Sequence, residues 1–213
     1  MEQYADTVQL IALAAGAALA SGINLYAVML VLGLLGRFGN VDLPPGMELL
    51  QHPLVLGAAG AMFLAEFVAD KIPGLDSLWD ALHTFIRIPA GGLLAAAAAA
   101  AAPVGPDFAV ASGILGAGLA AGTHATKAGG RLLINTSPEP FSNWGASLGE
   151  DALVIGAMWF AVYHPWLFIG AAALFLLLLA WLLPKLWRGV RMLFARIGRL
   201  FRAGAPYAPS ARD

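Results

Sequence analysis

Glu66-Phe67-Val68-Ala69-Asp70-Lys71-Ile72-Pro73-Gly74-Leu75-Asp76-Ser77-Leu78-Trp79-Asp80-Ala81-Leu82-His83-Thr84-Phe85-Ile86-Arg87 is the stretch on which the reading of this chain turns. It gathers acids, bases and a histidine, while most of its surroundings are Ala, Leu, Gly and Val. From Asp76 to Ile88 it is amphipathic: Leu78, Leu82, Phe85 and Ile86 line one side, and Asp76, Asp80, His83 and Arg87 fall mostly on another. Asp76 suits an N-cap. Upstream, Pro53 to Ile72 is long enough to span a bilayer, which takes about 20 residues. Glu66 lies inside that span, and Asp70 follows one turn later on the same face. Pro73-Gly74 ends the helix.

Composition explains why such a cluster stands out. The chain is 60% hydrophobic and 12% charged, whereas a soluble domain is about half apolar and about a quarter charged. This balance predicts a membrane protein. There is no cysteine, which excludes disulfides and thiol nucleophiles. Residues 1–6 carry acids and no bases, unlike the basic start of a cleavable signal peptide. Six of the 12 Lys and Arg residues fall between Lys185 and Arg202.

Outward from the cluster, the apolar run Thr7–Phe38 is long for one crossing and short for two. Ser21-Gly22-Ile23-Asn24 interrupts it, and Gly22 and Asn24 mark a break or kink. One long tilted helix with a tolerated glycine is the competing reading. Asn40–Gln51 reads as a loop around Pro44-Pro45. Pro89 and Gly91-Gly92 predict a kink before an alanine-rich span to Ala102, whose small side chains suit close helix packing. A run from Asp107 to Asn135 contains a second expected break at Gly122-Thr123-His124, followed by Lys127 and Arg131. Ser137–Trp144 reads as a rigid turn, with Ser142 or Asn143 capping a helix that carries Glu150 and Asp151. Pro165–Leu183 is a final span. Beyond it, Lys185, Arg188, Arg191, Arg196, Arg199 and Arg202 share one arc of a helical wheel, opposite Leu, Trp and Phe. That pattern predicts an interfacial helix held by anionic lipid headgroups. A partner-binding helix is the alternative.

Gly16–Gly22 resembles Gly116–Gly122, 100 positions on. Each string precedes an expected break, then an acid-bearing span, then a third span. The expected fold is therefore an all-α polytopic helical membrane bundle of about six crossings. It carries a 3+3 inverted repeat, 7–102 and 106–183, with a broken first helix in each half. The membrane domain covers 1–184, the basic amphipathic helix 185–203 and a disordered tail 204–213. Cytoplasmic loops favour Lys and Arg. This places both termini and Lys71, Arg87, Lys127 and Arg131 on the cytoplasmic side and leaves Arg37 outside. If the broken elements are re-entrant hairpins, the halves are parallel instead.

On this topology Glu66, Asp70, Asp80, His83, Lys127, Arg131, Glu150 and Asp151 converge on one cytoplasm-facing region. Ionisable groups at membrane depth face a bundle interior or water. The carboxylates can serve a cation or protons; equally, the bases can pair with the acids and pin the two halves together. A membrane enzyme would use Asp80, His83 and Glu66 around a metal, but one histidine is thin and the His-Glu-x-x-His spacing is absent. No phosphate loop or nucleophile elbow appears, so no cofactor, resident metal or nucleic-acid partner is expected. The functions in play are a small transporter or channel-like protein, a non-catalytic scaffold or partner subunit and, third, a membrane-embedded enzyme. The oligomeric state is open.

The strings Glu66–Pro73, Asp76–Arg87 and Ser137–Trp144 resemble a family of bacterial integral-membrane proteins, domain of unknown function 4126. The resemblance spans about Val8 to Leu183. It implies a bacterial inner-membrane location and assigns no activity and no catalytic residue.

Overall fold

The computed structural model describes residues 2–136 and 141–203. Residues 137–140 of the expected turn and the expected tail at 204–213 lie outside them, and the turn's remaining residues, 141–144, are helical. The described chain is all helical: α1 (Glu2–Phe38), a 3-10 helix (Pro45–Gln51), α2 (Pro53–Ala69), α3 (Leu75–Ala99), α4 (Pro106–Ile134), α5 (Phe141–Tyr163) and α6 (Pro165–Ala203). Gly74 and Gly105 take positive φ in the turns that start α3 and α4, where a side chain would be strained.

The path of α1 decides the architecture. Asn24 leaves helical geometry at φ −146, ψ 95. Its side-chain oxygen accepts the backbone N–H of Ala27 at 3.0 Å and so caps the helix that restarts there. The first half lies beside α4, with Ala18 at Gly116 and Gly22 against Ala120 and Thr123. The second half then retraces its course along α2: Leu30 lies over Gly60, Gly33 over Leu56 and Gly36 over Gln51. As a result Asp6, Gln9 and Leu13 share one surface concavity with Asn40–Pro44 and Tyr163. A straight helix would hold Asp6 and Phe38 about 48 Å apart. Helix α1 is thus a V that enters and leaves by the same end of the bundle. It fills the centre, and Ala17, Ala18, Val28 and Leu32 have no exposed surface.

By length and composition five helices, or six counting the 70° bend between the 3-10 helix and α2 as one span, can cross a membrane. Length alone counts α1 as one of these crossings. The traced path gives five end-to-end helices, α2 to α6, around one re-entrant V. The start of α1 and the end of α6 consequently lie at opposite ends of the bundle, which overturns the expectation that the termini share a side.

Other boundaries shift too. Helix α4 is unbroken, so Gly122 and His124 do not mark a second break. Helix α3 continues through Pro89 as a single element. The basic segment is the C-terminal part of α6, which runs on through Pro184, rather than a separate helix. Asp76 is the second residue of α3 rather than its N-cap, yet its carboxylate still accepts the N–H groups of Gly74 and Ser77. Ser142 and Asn143 lie inside α5, one residue or more past its start.

Burial is inverted relative to a soluble protein. On α3, Leu78, Leu82 and Phe85 are exposed (57%, 61% and 83%), while Asp76, Asp80 and Arg87 are fully buried. A helix that turns leucine outward and arginine inward has an apolar solvent outside. The chain is a multi-pass membrane protein.

Candidate functional site

Three cations, all from α3 and α4, organise the interior. Arg87 projects from the polar face of α3 and reaches Glu66 of α2 and Asp80 of its own helix, both at 2.7 Å. Lys127 and Arg131 sit one turn apart on α4. Lys127 Nζ donates to Glu66 Oε1 (3.0 Å), Asp70 Oδ2 (2.9 Å) and the backbone carbonyl of Ile23 (3.1 Å), which uses all three of its protons. The Ile23 carbonyl belongs to the last turn before the α1 break, so the lysine satisfies an acceptor close to where the helix stops. Arg131 bridges Glu150 of α5 (2.7 Å) and Asp70 (3.4 Å), and also donates to the carbonyls of Asp70 and Asn143.

Around the tip of α1, Asn24 donates through Nδ2 to Asp151 at 2.9 Å. Tyr26 faces His83 at 3.0 Å, and the other ring nitrogen of His83 donates to the carbonyl of Trp79. Those partners define the His83 tautomer, with the proton on Nδ1. His83 also stacks on the Trp79 ring. His124 is engaged likewise: its Nδ1 accepts from Arg87 and its Nε2 meets Thr84, whose hydroxyl donates to the carbonyl of Asp80.

The ion pairs join four carboxylates, Glu66, Asp70, Asp80 and Glu150, to three cations, a formal excess of one negative charge. Glu66 Oε2, Asp70 Oδ1, Asp80 Oδ2 and Asp151 Oδ2 are buried and take no hydrogen bond from the described residues. Glu150 is the carboxylate that reaches the surface, with its side chain 20% exposed. At the Asp70 end, Lys71 bonds the carbonyl of Phe67 and approaches Ser147. Burial pushes its ammonium below the ordinary lysine range, against the pull of Asp151 and Asp70. Asn135 links Asp76, Ser77 and Asn143 beneath the network.

The eight residues expected to form a binding site therefore fall in or beside one network, but not with equal roles. Glu66, Asp70, Asp80, Lys127, Arg131 and Glu150 form its ion pairs. Asp151 joins through Asn24. His83 stands to the side, its ring occupied by Tyr26 and Trp79, and no set of three or more His, Asp or Glu residues among the described ones can hold a metal ion. The metal reading of Glu66, Asp80 and His83 therefore finds no such group of ligands. Arg87 belongs to the site, although sequence reasoning placed it only on the cytoplasmic side; its spacing of seven from Asp80 on the polar face was the available signal. Tyr26 and Asn143 carried none, being single polar residues in apolar or turn-like contexts. Lys185, Arg188, Arg191, Arg196 and Arg199 are exposed along α6, away from the network.

No curated protein and no solved structure matches the chain. Residues 11–185 match the family described as Domain of unknown function (DUF4126). That match takes in α1 from residue 11 onward, all three cations and every carboxylate of the network, and the chain belongs to this family.

Proposed function

We propose that the protein is a small transporter or channel-like protein of the bacterial inner membrane, with the buried network as a cytoplasm-facing cation or proton site. One observation carries the reading: the tip of a re-entrant helix rests on an ion network that holds one carboxylate more than it has cations. Backbone that breaks helical order at membrane depth is tolerated where it is buried in protein or lines a cavity, and helix breaks of this kind build transporter binding sites. The helix restarting at Asn24 directs its positive dipole end toward Asp151. The excess of acceptor oxygens suits a proton or small cation, and the positive-inside rule supports a cytoplasmic Asp70 end: Lys71 and the α6 basic residues lie there, and Arg37 lies at the other.

Flux of protons and monovalent cations in proteoliposomes tests this. Glu150→Gln and Glu66→Gln are expected to abolish or strongly reduce it. Unchanged flux in folded protein would contradict the mechanism.

A second reading has its own observation. Lys127 and Arg131 each tie carboxylates from different helices, α2 and α5, and Arg87 ties α3 to α2. That is a clamp, and a scaffold or partner subunit needs only a clamp. It predicts no flux, lowered thermal stability in both variants and co-purification of another membrane protein through the turns at the Asp70 end. In either reading the exposed arginines of α6 bind anionic lipid headgroups, an attraction of about 1 kcal/mol per residue that falls with salt.

A further inference from the structure

A groove of about 300 Å³ lies between α1, α5 and α6, floored by Gly16, Ala20, Gly156 and Ala157 and walled by Phe160 and Phe168. Its lining is almost wholly apolar. Ile23, Leu153 and Phe175 line this groove and also a second pocket, of about 180 Å³, whose other walls include Thr123, Thr126, Lys127, Arg131 and Glu150. The two adjoin at these three side chains, so an apolar trough lies beside the exposed edge of the ion network.

The polar end is selective by its hydrogen-bond inventory. Lys127 has spent its three protons on Ile23, Glu66 and Asp70. Both terminal nitrogens of Arg131 are engaged, and its Nε, although unpartnered, has no accessible surface. Thr123 and Thr126 donate their hydroxyl protons to main-chain carbonyls of their own helix. What remains for a ligand is acceptors: the threonine lone pairs and Glu150 Oε1, which accepts no hydrogen bond among the described residues. The surrounding network carries its excess negative charge. We propose that these two adjoining pockets together bind a single-chain amphiphile with a primary ammonium head, the head at Glu150 and the hydrocarbon chain along Gly156 towards Phe168. A hydroxyl head supplies one donor and no charge, and a carboxylate head meets no free donor, because those of Lys127 and Arg131 are engaged.

The inference rests on the proposed site for its charge and not on transport. Binding without flux counts against the transporter reading alone, and flux without binding against this one alone. The test is saturable binding of dodecylammonium to the full chain in nanodiscs of neutral lipid, corrected with empty discs, alongside dodecanol and dodecanoate. We expect dodecylammonium to bind at least about tenfold tighter than the other two. Glu150→Gln should erase that preference. Gly156→Leu fills open space in the trough, because a side chain there meets nothing within 4 Å, and should weaken all three ligands. The proposal is overturned by equal or tighter binding of dodecanoate, by no saturable binding, or by a folded Gly156→Leu protein that binds as the parent does.

Discussion

Helices α1 and α4 carry nearly the same string of small residues, Gly16–Gly22 and Gly116–Gly122, and lie against one another, yet one folds back on itself and the other runs straight. The difference comes two residues later. Asn24 has a short side chain that can accept the N–H three residues on, so the chain can stop one helix and begin another at little cost. The Ile23 carbonyl before it is taken by Lys127, and the Asn24 amide by Asp151. His124 makes no such cap. Its ring is instead drawn sideways to Thr84 and Arg87 of α3, which holds α4 in place. A helix break in an apolar interior thus needs a cap and acceptors' partners supplied from elsewhere, not just a glycine. The likeness of the two strings has a packing cause as well: they supply facing sides of a small-residue contact, with Gly91 of α3 completing it.

This contrast can be broken in stages. The largest effect is expected from Arg87→Leu, which strips Asp80 of its 2.7 Å partner and releases His124. An uncompensated buried charge costs about 3–5 kcal/mol, to be read as a lowered unfolding midpoint in detergent. A midpoint within error of the parent would remove the network from the account of stability. Next, Gly22→Ala drives a methyl into the Ala120 carbonyl and Thr123; overpacking of this kind costs about 1–3 kcal/mol. Gly122→Ala is the matched control. Its methyl meets only the flexible end of Leu179, at 3.2 Å, and alanine favours a helix interior over glycine by up to about 1 kcal/mol. Stability should therefore hold or rise slightly, and equal losses at the two positions would dissolve the distinction. The smallest effect belongs to Asn24→Ala, which removes a cap for about 1 kcal/mol. Asn24→Ser should recover part of that, whereas Asn24→Asp keeps the cap but sets a second carboxylate against Asp151; the three melts ranked Ser, then Ala and Asp, would support the capping role.

Much of this architecture was legible. Long apolar runs gave the helices, and the opposed faces of Asp76–Ile88 gave the burial pattern once a lipid exterior was assumed. The convergence of Glu66, Asp70, Lys127, Arg131 and Glu150 was expected from the alternation of spans, and it survives the loss of the first crossing because α2, α4 and α5 keep their directions. What hydropathy cannot convey is direction. A V and a tilted rod have the same apolar content, and only the partners at 23 and 24, more than 100 residues away in sequence, decide between them. For the same reason Gly122-Thr123-His124 looked like a second break: local propensity was equivalent, and the long-range partners differed. The boundary at Pro184 failed because a proline inside a membrane helix need not end it.

Single-cysteine labelling tests the central claim most directly, since the chain has no cysteine of its own. Cysteines at Asp42, Gly105 and Leu75 locate the two membrane faces, and one at Asp6 then reports the path of α1. The V predicts that Asp6→Cys labels from the same side as Asp42→Cys and Gly105→Cys, with Leu75→Cys on the other. Labelling of Asp6→Cys together with Leu75→Cys would mean that α1 crosses the bilayer, and the re-entrant helix would be lost, along with the site built on its tip.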